Sequence, residues 1–260
     1  MRSHLYSAVS LHRFFVPPEA ISGDQVSLEG DLASRLSRVL RLKPGAAVVL
    51  LDGSGLEYDA RLEKVGPRQV TAAVVGRRAG RPEPEVRLVL YQSLVKGERF
   101  DWVLEKGTEL GVAAFVPLLS RRNVVRPVPG RSGRPDRWQR VVREAAEQCG
   151  RSVLPEVLPA QRFEDALSAA ADLRLLPWEG EDALGLATAL RRARPDLEAL
   201  ERPTVAVLIG PEGGFAAEEV ALAREAGAQV VSLGRRILRS ETAGIAAAAA
   251  VLYELGELGA

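Results

Sequence analysis

The sequence predicts an α/β protein in two parts: a small β-rich module, then a parallel sheet with helices on both faces. Three observations predict it. Short apolar runs broken by Pro, Gly and Asp turns fill roughly the first seventy-five residues. From Val86 onward, apolar strands alternate with longer helical stretches, the pattern of a parallel sheet. Between them lies an Arg-, Gly- and Pro-rich stretch without periodicity, where few contacts are expected to cross. The expected division is a domain at 1–76, a linker at 77–85 and a second domain at 86–260, with 1–11 a flexible extension.

In the first part, Arg13-Phe14-Phe15-Val16 reads as a strand stopped by Pro17-Pro18. Leu32, Leu36, Val39 and Leu40 have the spacing of a short amphipathic helix over 31–40. Lys43-Pro44-Gly45 is a turn before an apolar strand at 46–51, and Asp52-Gly53-Ser54-Gly55 marks a hairpin. Alternating runs at 57–65 and 69–75 complete a compact, barrel-like unit. In the second part, strands are expected at 86–92, 114–117, 173–176, 205–209 and 229–233. Helices are expected at 100–110, 135–148, 163–170, 217–226 and 241–255.

Composition narrows the class. Hydrophobic residues at 47% and charged residues at 27% of 260 describe an ordinary soluble chain with a sizeable core. No apolar run is long enough to span a membrane. Cys149 is the single cysteine, which excludes an internal disulfide or thiolate cluster and fits a reducing cytoplasm. His4 and His12 are the only histidines, so neither a histidine triad nor a zinc site is expected, and no metal is assigned.

The net charge of +1 conceals an uneven distribution. Arg121, Arg122, Arg126, Arg131, Arg134, Arg137, Arg140, Arg143 and Arg151 face only Asp136, Glu144 and Glu147 over the same stretch. Guanidinium forks match phosphate geometry and stack on bases. A solvated helix face is the plainer alternative.

Two turns carry the functional signal. The first, Ile209-Gly210-Pro211-Glu212-Gly213-Gly214-Phe215, follows the apolar run Val205-Ala206-Val207-Leu208. Its glycines let the backbone turn sharply and approach a ligand closely, and Glu218-Glu219 suit the positive end of the next helix. No Lys-Ser/Thr pair follows, so it is not a Walker-type loop, and dinucleotide-binding glycine spacing is absent. The second turn, Leu233-Gly234-Arg235-Arg236-Ile237-Leu238-Arg239-Ser240-Glu241-Thr242-Ala243, places Ile237 and Leu238 where they can clamp a flat heterocycle. Arg239 is set to meet an anion, and either Ser240 or Thr242 caps the last helix. Strand-end turns of this kind are where α/β proteins place ligands.

These two turns resemble the cofactor loops of SPOUT-class RNA methyltransferases, and within them the 16S ribosomal RNA uridine-N3 methyltransferases. The resemblance extends to His12-Arg13-Phe14-Phe15, Val39-Leu40-Arg41-Leu42-Lys43-Pro44-Gly45 and Asp52-Gly53, similar to that family's N-terminal PUA-like RNA-binding domain. It also takes in Glu105-Lys106-Gly107-Thr108-Glu109-Leu110-Gly111-Val112 and Glu144-Ala145-Ala146-Glu147-Gln148-Cys149-Gly150-Arg151 of the catalytic domain. The chain departs from the pattern at Ser34-Arg35-Leu36, where a histidine is common, and at Ser240, where threonine is frequent.

The resemblance implies a trefoil-knotted parallel sheet, a homodimer and S-adenosylmethionine as cofactor. Leu176, Pro177, Ile209, Gly210, Pro211, Glu212, Gly213, Gly214, Leu233, Gly234, Ile237, Leu238, Arg239 and Thr242 would form the cofactor pocket. The substrate would be one uridine in the decoding region of 16S rRNA in the small ribosomal subunit. Arg239 would stabilise the deprotonated base, Glu212 or Glu241 would accept the proton, and Arg13, Arg41, Arg121, Arg122, Arg143 and Arg151 would hold RNA phosphates. Two rivals are a non-catalytic RNA-binding assembly factor and a small-molecule enzyme with another nucleotide cofactor.

Overall fold

The computed structural model describes residues 11–124 and 134–259. Nearly all of the expected extension, together with Arg126 and Arg131 of the arginine strip, lies outside the described residues. The chain forms two compact units, one of residues 1–82 with 146–154 and the other of 83–145 with 155–260. No helix among the described residues is long and apolar enough to cross a membrane.

The first unit is built on one sheet of six strands: β1 (Arg13–Phe15), β2 (Ile21–Ser22), β3 (Gln25–Glu29), β4 (Ala47–Leu51), β5 (Leu56–Val65) and β6 (Gln69–Ala79). Their order is β1-β4-β5-β6-β3-β2, and every pairing is antiparallel except β1 with β4. Alternation decides which face is buried. β3 turns Val26 and Leu28 inward against Phe14, Leu36, Leu50 and Leu62, while Gln25, Ser27 and Glu29 stay in water. Each such side chain contributes about 1.5–3 kcal/mol on full burial. The helix expected over 31–40 is α1 (Gly30–Ser34), continued by a wider π-helical turn through Arg35–Val39. It runs out at Arg41, which has φ 52° and is the one non-glycine positive φ among the described residues. The β6 strand extends to Ala79 and so occupies the start of the expected linker.

Residues 146–154 join this unit through buried polar contacts. Glu147 accepts hydrogen bonds from the Phe15 amide at 3.1 Å and from Arg35 at 2.9 Å. Ser152 donates to Glu57 at 2.9 Å, and Glu57 is also paired with Arg13 and Arg78. Burial alone would raise the Glu57 pKa. Hydrogen bonds from Arg13 and Ser152 and the charges of Arg13 and Arg78 outweigh it, and hold the carboxyl below its ordinary 4.5. Gly80 closes over Ser152, where a Cβ would meet the hydroxyl at 2.0 Å.

The second unit holds a parallel sheet of β7 (Arg87–Ser93), β8 (Ala114–Leu119), β9 (Glu156–Val157), β10 (Gln161–Arg162), β11 (Leu173–Pro177), β12 (Thr204–Ile209) and β13 (Gln229–Val231). The order is β10-β8-β7-β12-β11-β13, with β9 also paired to β8. Its helices are α2 (Arg99–Leu110), α3 (Arg134–Cys149, whose last turn belongs to the first unit), α4 (Phe163–Ser168), α5 (Leu186–Glu198), α6 (Ala217–Glu225) and α7 (Ser240–Glu254).

Both sheet faces are covered. In β7, Leu88 and Leu90 face the core under α2, α5 and α7, whereas Val89 and Tyr91 face the core under α4 and α6. The same parity divides Val205, Val207 and Ile209 from Ala206 and Leu208 in β12. Burial on two sides explains why these strands read as unbroken apolar runs. Gly111, at φ 109°, ends α2 as its C-cap. Gly107 on the same helix admits Phe115, which a Cβ would meet at 2.5 Å.

Candidate active site

Because β7, β12, β11 and β13 run parallel, the loops leaving their carboxyl ends gather at one edge of the sheet. A cavity of about 490 Å³ opens there, lined by Arg99, 177–179, 209–212, 214–215, 232–240 and Ala243. The glycine-rich turn and the Ile-Leu-Arg turn are thus two walls of one pocket. Pro177, Ile209, Gly210, Pro211, Glu212, Gly214, Leu233, Gly234, Ile237, Leu238 and Arg239 all border it.

Three expected pocket residues do not. Leu176 is fully buried in the core that includes Val220 and Ala223 of α6. Strand alternation points it away from the cavity while its neighbour Pro177 lines it. Gly213 turns its carbonyl outward to accept a 2.9 Å hydrogen bond from Arg122. Thr242 is exposed on α7.

The walls are stabilised by side chains from distant parts of the sequence. Gly214 adopts φ 67°, a left-handed conformation that disfavours any side chain, and the Glu179 carboxylate lies over it where a Cβ would have to displace it. Ser240 does not cap α7. Arg239 is the N-cap residue, in extended backbone, and no side chain caps the helix. The Ser240 hydroxyl instead donates to the Gly210 carbonyl and accepts from Gln92 at 2.9 Å, joining both turns to the end of β7. Glu219 accepts the amides of Ala216 and Arg121, each at 2.8 Å, which ties the start of α6 to the loop after β8.

Of the three residues expected to act in catalysis, Arg239 and Glu212 stand at the cavity wall. Glu241 does not. It is buried beside Arg99, and its Oε2 has no hydrogen-bond partner. Its place in the first turn of α7 suits the helix dipole better than proton transfer to a ligand. The cavity also includes Arg99, Trp178, Glu179, Arg235 and Arg236, to which sequence reasoning gave no role. Arg235 and Arg236 lay inside the motif already noted, but nothing in the sequence pointed to Arg99 or Trp178. Ile237 is 87% exposed, an apolar side chain held open at the rim.

The arginines expected to bind RNA fall in both units. Arg13 is committed to Glu57 and only 18% of its side chain is accessible. Arg41 and Arg143 are exposed, Arg151 is half-buried, Arg121 is exposed within 3.6 Å of Glu218, and Arg122 reaches Gly213.

A family model described as an RNA methyltransferase domain matches residues 82–252, and one described as an RNA methyltransferase PUA domain matches 36–75. The chain is similar to ribosomal RNA small subunit methyltransferase E of Synechocystis sp., at 35% identity over 242 residues covering 91% of this chain and 76% of that protein. It is similar in structure to a Legionella pneumophila methyltransferase in complex with bound SAM. The TM-score is 0.84 at 30% identity, covering 94% of this chain and 98% of the other. A third likeness is to ribosomal RNA small subunit methyltransferase E of Neisseria gonorrhoeae, bound to S-adenosyl methionine. Its TM-score is 0.79 at 33% identity, covering 94% and 97% of the two chains. With a strand-rich PUA-like domain followed by a matched parallel α/β domain, the chain belongs to the RNA methyltransferase family.

Proposed function

We propose that this chain transfers the methyl group of S-adenosylmethionine to N3 of one uridine in the decoding region of 16S rRNA, in the small ribosomal subunit. We place the cytoplasmic homodimer and the trefoil knot implied by the family resemblance in the same proposal. The observation that carries the reading is the cavity itself, in which the two motif turns face one another in a chain similar to SAM-bound methyltransferases.

The residues present fit that cofactor. A cavity of about 490 Å³ falls within the range of small-molecule sites. Ile209, Leu233, Ile237 and Leu238 give it apolar surface suited to a heterocycle, and the glycine-rich backbone lets main-chain groups approach closely. Bound there, S-adenosylmethionine supplies an activated methyl on a sulfonium, so the protein's contribution is largely orientation.

The substrate nitrogen still carries a proton at neutral pH. Arg239, exposed at the rim, is assigned to the uracil carbonyls, where its charge favours the deprotonated base. Glu212 is assigned as proton acceptor, because it borders the cavity and Glu241 does not. Arg41, Arg121, Arg122, Arg143 and Arg151 are assigned to phosphates, giving salt-sensitive binding. Small subunits from cells lacking this protein, incubated with it and labelled S-adenosylmethionine, test the reading by nucleoside mass spectrometry. Label in 3-methyluridine is expected. Label in another nucleoside, or none, overturns it.

A further inference from the structure

Arg99 is the first residue of α2, on the segment that leaves β7, and its side chain lines the cavity. Its Nη1 lies 3.6 Å from Glu212 Oε1, and its Nε lies 3.6 Å from Glu241 Oε1. Glu212 sits in the turn after β12, and Glu241 sits in the first turn of α7 after β13. One guanidinium therefore pairs with a carboxylate from each wall of the pocket. Among the described residues, it is the cation with which both are paired.

The arrangement has the chemistry of a clasp. Two carboxylates converging on one site repel unless a cation stands with them. Glu241 needs that cation more than most, since it is buried and its Oε2 makes no hydrogen bond. Glu212 is held from the same segment a second time, because the Lys96 amide donates to its Oε1 at 3.3 Å. Guanidinium suits the task, having five donors on a planar fork that can address two partners at once. At 3.6 Å these are ion pairs rather than direct hydrogen bonds, so they act through charge.

We infer that Arg99 is a positioning residue for methyl transfer: its guanidinium bridges Glu212 and Glu241 and so fixes the spacing of the two turns that receive the cofactor. The inference rests on the cofactor reading given above. It assigns to Arg99 no contact with the reacting atoms.

Calorimetric titration of the full-length protein with S-adenosylhomocysteine separates the two claims. Failure of the unsubstituted protein to bind overturns the cofactor reading. If it binds, Arg99→Met is expected to weaken binding by about tenfold or more, near 1.4 kcal/mol. The KM for S-adenosylmethionine should rise by a larger factor than kcat falls. Arg99→Lys should recover only part of the affinity, since a compact ammonium does not reproduce the span between the Nη1 and Nε atoms that face the two carboxylates. Glu212→Gln and Glu241→Gln should have non-multiplicative effects on affinity when Arg99 is present and multiplicative effects in the Arg99→Met background. An unchanged affinity in a normally melting Arg99→Met protein overturns the inference, and so does a loss confined to kcat.

Discussion

Gln92 and Ser240 are 148 residues apart in the chain and share a buried hydrogen bond of 2.9 Å. The serine hydroxyl in turn donates a hydrogen bond to the carbonyl of Gly210. A strand end, a glycine-rich turn and a helix start are thereby joined through one oxygen. The Ser240→Ala substitution would leave the Gln92 amide and the Gly210 carbonyl without this partner. Buried unsatisfied groups cost about 1–3 kcal/mol each, so urea unfolding should register a loss of that order. Threonine keeps the hydroxyl and should lose less.

Gly244 lies on the other side of Gln92. A Cβ at 244 would stand 2.4 Å from Gln92 Oε1, and the amide cannot retreat without releasing Ser240. Overpacking of this kind costs about 1–3 kcal/mol. Gly244→Ala should lower the melting temperature and weaken S-adenosylhomocysteine binding together, although residue 244 does not line the pocket. Loss of stability with unchanged affinity would separate the helix start from the site.

The Glu57 cluster sets an acid limit on the first unit. A carboxyl whose folded pKa is depressed contributes its full stabilisation above its ordinary value, here 4.5. That contribution fades as pH falls through the lower folded value. Glu57→Gln should therefore lower the melting temperature clearly at pH 7, and the gap to the unsubstituted protein should narrow progressively below pH 4.5. A gap that stays constant with pH would mean that the ion pairs with Arg13 and Arg78 do not stabilise the fold.

Arg239 is exposed at the cavity rim, and its backbone stands at the start of α7. Arg239→Ala should leave the melting temperature nearly unchanged. Loss of one preorganised electrostatic partner should slow turnover by about 10²–10³-fold. Near-normal turnover in single-turnover assays would remove Arg239 from the chemistry.

Much of the second unit was legible because its strands are buried on both faces, as in Val205–Ile209, and its turns carry glycines at strand ends. The α5 helix was hidden by its composition: Arg191, Arg192, Arg194, Pro195, Asp196 and Glu198 obscure the stripe of Leu186, Ala189, Leu190 and Leu197. The β3 strand, absent from the expected elements, carries its signal in the alternation of Val26 and Leu28. The two pocket walls were visible as local motifs. What braces them was not, because Arg99, Gln92 and Arg122 reach their partners across 90 or more residues. Local periodicity carries no information about such pairings. The attachment of residues 146–154 to the first unit is hidden for the same reason: Glu147 and Ser152 meet Phe15 and Glu57 only after folding.

A crystal structure of the protein grown with S-adenosylmethionine would show where the cofactor binds. The cofactor is expected between Gly210–Gly214 and Leu233–Arg239, with its base against Ile237 and Leu238. Density for it elsewhere on the protein, or a cavity filled by the chain's own side chains at saturating cofactor, would rule out this pocket as the cofactor site.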